Sequence, residues 1–152
     1  MRDDPLKPLA DLHRRIEQIV GVRLFTVTTV DRTAGLARRV YSSHPVEYPV
    51  TGTKPMTDDD WSRKVIDRHE TFVANTTAEF AIYFPDHGLI NALGCQSALN
   101  VPVVDRTEVV GTVNLLDVEG HFTPQRVALA EAEVAAARHI LVPVLRKALT
   151  SQ

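Results

Sequence analysis

The chain carries one cysteine, Cys95. A thiol acts as a nucleophile only as its thiolate, which needs a nearby cation or a helix N-terminus to lower its pKa. His87 lies eight residues earlier, in a segment able to fold back toward it. Cys95 also stands at the entrance to a strand, where cysteine commonly serves as a small buried apolar residue. With no second cysteine there is no internal disulfide, and a sulfenic acid formed here would need an external reductant. Histidine offers a different chemistry. His44, His87 and His121, joined by His69, are candidate metal ligands, and Glu70, Asp86 and Asp117 could add oxygen donors. No pair has the i, i+4 or His-x-His spacing that fixes two ligands on one element, so solvated loop histidines account for the pattern as well.

Binding chemistry has more material. Tyr41, Trp61, Phe80, Tyr83 and Phe84 could wall a cavity for a small organic ligand, or could pack as core. If Val104 pairs with Val109, then Ser97, Thr112 and Asn114 share one sheet face, where a buried polar trio needs internal partners or a ligand. The expectation is a cavity bounded by Tyr41, Trp61, Phe80, Phe84, His87 and Asn114, with Tyr83, Ser97 and Thr112 contributing and Cys95 near the rim.

These residues must be positioned by regular elements. Leu6, Leu9, Leu12, Ile16, Ile19 and Val20 recur at helical spacing, predicting a helix over 5–20 that Gly21 ends. Two β-rich runs, 23–30 and 36–43, flank Asp31-Arg32-Thr33-Ala34-Gly35 and read as a hairpin. Three prolines and Gly52 make 44–56 an irregular connection. Thr57 is placed to cap a helix over 57–68, with Asp58, Asp59 and Asp60 near its positive end. A strand is expected at 71–75, and a lid or pocket wall at 76–94 with a short helical turn at 89–93. The runs 97–104 and 109–118, joined by Asp105-Arg106-Thr107-Glu108, form the strongest hairpin signal. Thr123-Pro124 then opens a helix to 149, along which Val127, Ala130, Val134, Ala137, Leu141, Val144 and Ala148 alternate spacings of three and four, and Pro143 is expected to bend its last turns.

At 152 residues, 44% of them hydrophobic, the chain fits one domain, 1–152, with a substantial core. A net charge of −2 with scattered basic residues argues against nucleic acid as a partner. No charged-then-apolar leader and no long apolar run marks export or membrane insertion, so the expected location is cytoplasmic.

The run Val101-Pro102-Val103, a tight turn, Gly111-Thr112-Val113-Asn114-Leu115 and then Phe122-Thr123-Pro124 resembles the closing segment of a GAF domain. The resemblance extends back over most of the chain. It implies an α+β fold: a central antiparallel sheet of five to six strands, terminal helices on one face and a ligand cavity on the other. It also implies a small-molecule-binding sensory or regulatory domain acting through a partner or its own dimer, the subunits meeting through the terminal helices. The stretch 84–103 has a likeness to free methionine sulfoxide reductases, a catalytic branch of the family. Where that branch offers acidic pocket residues this chain has Ala98, Asn114 and Leu116. The Asn-Lys-Phe-Asp-Glu constellation of the cyclic-nucleotide class and the Asp-Ile-Pro of bilin-binding members do not occur. A thiol or metal-assisted enzyme and a ligand-free dimerisation module remain as alternatives.

Overall fold

A computed structural model describes residues 4–150, the side chain of Thr150 excepted. Its centre is a six-stranded antiparallel sheet in the order β3-β2-β1-β6-β5-β4. The strands are β1 (Leu24–Asp31), β2 (Leu36–Ser42), β3 (Lys54–Pro55), β4 (Phe72–Ala74), β5 (Ser97–Asp105) and β6 (Glu108–Asp117). Helix α1 (Lys7–Ile19) precedes them and α5 (Pro124–Thr150) follows.

Both terminal helices lie on one face, because both carry an apolar stripe that only the sheet can cover. Leu9, Leu12 and Ile16 of α1 and Ala130, Val134, Leu141 and Leu145 of α5 pack against Phe25, Val27, Leu99, Val101, Val113 and Leu115. Arg15 of α1 donates to Glu133 of α5 at 2.7 Å, joining the helices at the edge of this core. The stripe from Val127 to Ala148 is therefore largely occupied by the domain's own sheet. Thr123 caps α5 as expected, its hydroxyl accepting from the Arg126 N–H at 3.3 Å, and the helix continues through Pro143 to its end.

Gly111 is required where β6 passes under α5. A Cβ there would lie 2.4 Å from the Thr28 carbonyl oxygen and 2.8 Å from Leu145.

The opposite face carries a second core of Leu24, Val30, Val65, Ile66, Phe72, Phe80, Ile90, Ala98 and Leu116. It is covered by three short helices. The first, α2 (Asp60–Ser62), runs on as a π-helical stretch, Arg63–Asp67. Its cap is Asp59, whose carboxylate accepts from the Ser62 N–H at 2.8 Å, and not Thr57. Thr57 instead donates to Asp59 at 3.1 Å and so braces the cap. The segment 76–94 holds α3 (Thr77–Ala81) and α4 (His87–Ala92). Thr76 caps α3, its hydroxyl accepting from the Glu79 N–H at 3.4 Å, and the Glu79 carboxylate accepts in turn from the Thr76 hydroxyl at 3.0 Å and from the Asn75 N–H at 3.3 Å.

Two β-bulges set which side chains face which core. Val104 pairs with Val109, but Val103 pairs with Gly111, so Val110 is an extra residue in β6. In the first hairpin Thr28 pairs with Arg39 and Val27 with Tyr41, so Val40 is extra in β2. Beyond each bulge the alternation of faces is inverted.

A cavity floored by asparagine

Between the sheet and the three short helices lies a cavity of about 390 Å³. Its floor is built of β-strand side chains, with Thr112 and Asn114 brought onto this face by the Val110 bulge. Asn100 of β5 pairs with Asn114 of β6, and Asn114 with Thr26 of β1. In the next row Arg39 of β2 pairs with Thr28 and Thr28 with Thr112. The amides form a chain. The Trp61 indole N–H donates to the Asn100 carbonyl oxygen at 2.9 Å, and the Asn100 amide donates to the Asn114 carbonyl oxygen at 2.8 Å. The Asn114 amide donates to the Thr26 and Thr28 hydroxyls at 3.1 and 3.2 Å. A buried asparagine without such partners would cost free energy, so the chain fixes both amides in one orientation.

The walls are apolar: Val30, Ile66, Tyr83, Phe84, Ile90 and Leu116. Trp61 and Ile66 come from α2 and its π-helical continuation. Tyr83 and Phe84 follow α3; Phe80, fully buried behind them, stacks obliquely on Phe84 with ring centroids 5.4 Å apart.

At the mouth Arg39, Tyr48 and Asp86 meet. The guanidinium lies 3.7 Å above the Tyr48 ring centroid, and its Nη1 donates to the Pro49 carbonyl at 2.8 Å. The Tyr48 hydroxyl donates to Asp86 Oδ2, while Arg39 Nη2 is 3.6 Å from the same oxygen. Burial pushes the Tyr48 phenol far above its ordinary value; Arg39 opposes the shift and Asp86 adds to it. Tyr48 is therefore a neutral donor across the physiological range.

Of the residues expected at a cavity, Trp61, Tyr83, Phe84, Thr112 and Asn114 line it together. Five lie elsewhere. Tyr41 is turned to the helix face by the Val40 bulge and packs edge-on against Phe25, centroids 5.8 Å apart. Ser97 also faces the helices, because β5 alternates without interruption from Val103 through Val101 and Leu99; its hydroxyl donates to the Val118 carbonyl at 2.7 Å, and the Val110 bulge in β6 brings Thr112 and Asn114 onto the face of Asn100 instead. Phe80 supports Phe84 from outside the lining. The His87 Nδ1 is 2.8 Å from the Phe84 carbonyl oxygen within its own turn.

Cys95 is fully buried among the cavity-side core residues and is not part of the lining. Burial pushes its thiol up to about 11, Asp117 adds to the shift and Arg23 partly offsets it. The candidate metal ligands are dispersed: His44 Nδ1 sits 2.9 Å from the Ser43 hydroxyl, and His121 Nε2 is 2.9 Å from the Gly21 carbonyl and 3.5 Å from Asp117. Among the described residues, no group of three or more histidine, cysteine or acidic side chains is arranged to hold a metal ion. No helix among them is long and apolar enough to cross a membrane.

Thr26, Thr28, Arg39, Tyr48 and Asn100 were not singled out as cavity residues from sequence. Thr26 and Thr28 were detectable: they alternate with apolar residues on a strand flanked by partners on both sides.

Several solved structures share this fold. The GAF domain/HD domain protein of Geobacter sulfurreducens is 18% identical, with a TM-score of 0.72 over 93% of this chain and 95% of that one. The GAF domain of a two-component sensor histidine kinase from Bacillus halodurans is 13% identical, with a TM-score of 0.72 over 96% and 97%. The GAF-B domain of DevS from Mycobacterium smegmatis is 13% identical, with a TM-score of 0.63 over 97% of each. At these identities the likeness establishes the fold. No curated protein sequence matches the chain. The family model for the GAF domain matches residues 8–138, from the start of α1 to the middle of α5, and with that match the chain belongs to the GAF domain family.

Proposed function

We propose that this GAF domain is a small-molecule sensor, acting through a partner or through its own dimer. The observation that carries the reading is the cavity of about 390 Å³ whose floor is a hydrogen-bonded Asn100–Asn114 pair. Its size falls within the range of small-molecule sites, and apolar walls around a few fixed polar groups are what such sites use to hold and orient a ligand. The sensor histidine kinase whose GAF domain shares this fold supports the same direction.

A thiol enzyme finds less support, since a buried cysteine with a raised pKa remains protonated at neutral pH and is a poor nucleophile. Native mass spectrometry of freshly purified protein tests the proposal. The expected result is a retained mass of a few hundred daltons that is lost on denaturation, with the apo protein melting at lower temperature than the loaded form. Cys95→Ala should keep both the retained mass and the stabilisation. The sensor reading fails if no mass is retained and no small molecule in a metabolite screen raises the melting temperature.

A further inference from the structure

The charged side chains among the described lining residues are Arg39, Lys54 and Asp86. They are not equivalent. Lys54 is exposed on the edge strand β3, whereas the Arg39 side chain is only 15% exposed and aligned with the floor row. A desolvated guanidinium is stable only if its donors find acceptors. Nη1 has one, the Pro49 carbonyl. Nη2 has none among the described residues and is open to water: Asp86 Oδ2 is 3.6 Å away and is already taken by the Tyr48 hydroxyl. Asp86, with its side chain 37% exposed, is thus a loose internal counter-ion at the cavity mouth.

The rest of the floor carries no charge. Asn100, Asn114, Thr26, Thr28 and Thr112 offer amide and hydroxyl groups. The Asn100–Trp61 and Asn114–Thr contacts still leave one Asn100 N–H and further oxygen lone pairs for a ligand. One guanidinium with a displaceable carboxylate beside it matches a single negative charge better than a phosphate dianion.

We propose that the cavity takes a small monoanion, its carboxylate held by Arg39 in place of Asp86 and its uncharged polar body laid on Asn100, Asn114 and Thr112. This rests on the reading of the cavity as a ligand site. A ligand carboxylate can form the short, paired contacts to Arg39 that Asp86 does not. Because Asp86 belongs to the link between α3 and α4, its displacement frees that link and the Tyr48 hydroxyl, so occupancy is felt at the outer wall.

The single tryptophan supplies the assay, since Trp61 is the only indole N–H in the chain and it donates to Asn100 inside the cavity. Acetate, benzoate, N-acetylglycine and N-benzoylglycine are each titrated against the corresponding neutral primary amide at constant ionic strength. The indole resonance is followed by NMR. At least one carboxylate should shift it and bind about tenfold or more tightly than its amide, the scale of one charge-assisted contact.

Arg39→Gln should abolish that preference, weakening the carboxylate by far more than its amide. Asp86→Asn, at a partly exposed site, should tighten carboxylate binding by more than it changes amide binding. If Arg39→Gln does not fold, the Asp86→Asn result decides: unchanged or weaker carboxylate binding overturns the proposal. Equal binding of acids and amides overturns it while leaving the small-molecule reading standing. A silent indole resonance across both series also overturns it, and native mass spectrometry then judges the broader reading separately.

Discussion

Asn114 is the residue on which the cavity floor depends, because it accepts from Asn100 and donates to hydroxyls of β1. Asn114→Ala leaves the Asn100 amide and the Thr26 and Thr28 hydroxyls without their partner. Its expected cost is about 1–3 kcal/mol in urea unfolding, the penalty for a buried polar group left unpaired. The Trp61 indole resonance should shift in the same variant, since Trp61 is joined to Asn114 through Asn100. A loss below about 0.5 kcal/mol would mean that water or rearranged side chains already satisfy these groups.

Cys95 gives a complementary prediction. Fully buried, with its thiol pushed up to about 11, it should resist a disulfide reagent in the native protein and react at the rate of a free thiol once unfolded. Rapid modification of the folded protein would place it at an accessible, activated site after all.

At the scale of elements, the strands govern what the sequence could reveal. The five main strands and both terminal helices were legible because strand or helix periodicity, or a run of β-forming residues, survives over most of each: Leu9, Leu12 and Ile16 on α1, or Val101 and Val103 facing the helices from β5. Face assignments failed where the period is broken. A regular ladder counted from the Val104–Val109 pair puts Ser97 on the face of Thr112 and Asn114; the extra residue Val110 puts Asn100 on that face instead. Counting from the first turn puts Tyr41 beside Thr26, yet Val40 intervenes and Tyr41 faces Val27. A one-residue insertion leaves hydrophobicity almost unchanged while inverting every side chain beyond it, so composition carries little trace of a bulge. The capping signature Thr76-Thr77-Ala78-Glu79, by contrast, was present as a local signal in the stretch read as irregular. The two-residue strand β3 had none, as its Lys54 and Pro55 pair only because the neighbouring edge of β2 is available.

The bulge in β6 also creates a sharp mechanical requirement. Val110 and Gly111 pass beneath Leu145, and Gly111→Ala would push a methyl group against the Thr28 carbonyl at 2.4 Å and against Leu145 at 2.8 Å. The strand or α5 must move. The expected destabilisation is about 1–3 kcal/mol, the usual range for overpacking, measured by thermal or urea unfolding. Adding Leu145→Ala should recover part of it, by vacating the space on the α5 side but not at the carbonyl. If Gly111→Ala is neutral, the close approach of β6 to β1 and α5 is not a constraint on the fold.

At the scale of the whole molecule, the question is how occupancy of one face of the sheet reaches anything outside the domain. We propose that the protein forms a homodimer through its terminal helices. The residues involved are not those at three-four spacing from Val127, because Ala130, Val134 and Leu141 are 0%, 3% and 1% exposed and belong to the domain's own core. Glutamate at Val134 and Leu141 should therefore unfold the chain whether or not it dimerises. The opposite face of α5 presents Leu129 and Ile140, 38% and 43% exposed, with Ala132 and Ala136 exposed between them. Ile140 also borders a groove of about 430 Å³ between α5 and α1, whose other lining residues include Lys7, Asp11 and Arg15.

Charges of both signs around an apolar centre suit a two-fold contact, in which each patch meets its own copy. Alanines bury little area, so α5 alone falls short of the roughly 1,000 Å² expected of a specific interface, and the α1 side of the groove must contribute. The joint substitution Leu129→Glu with Ile140→Glu should give a folded monomer with a melting temperature near that of the isolated wild-type subunit, read by light scattering and thermal unfolding. Ligand-induced stabilisation should survive in that monomer, because the cavity lies on the other face of the sheet. A wild-type protein that is monomeric at micromolar concentration would exclude the dimer and leave a separate partner as the receiver of the signal.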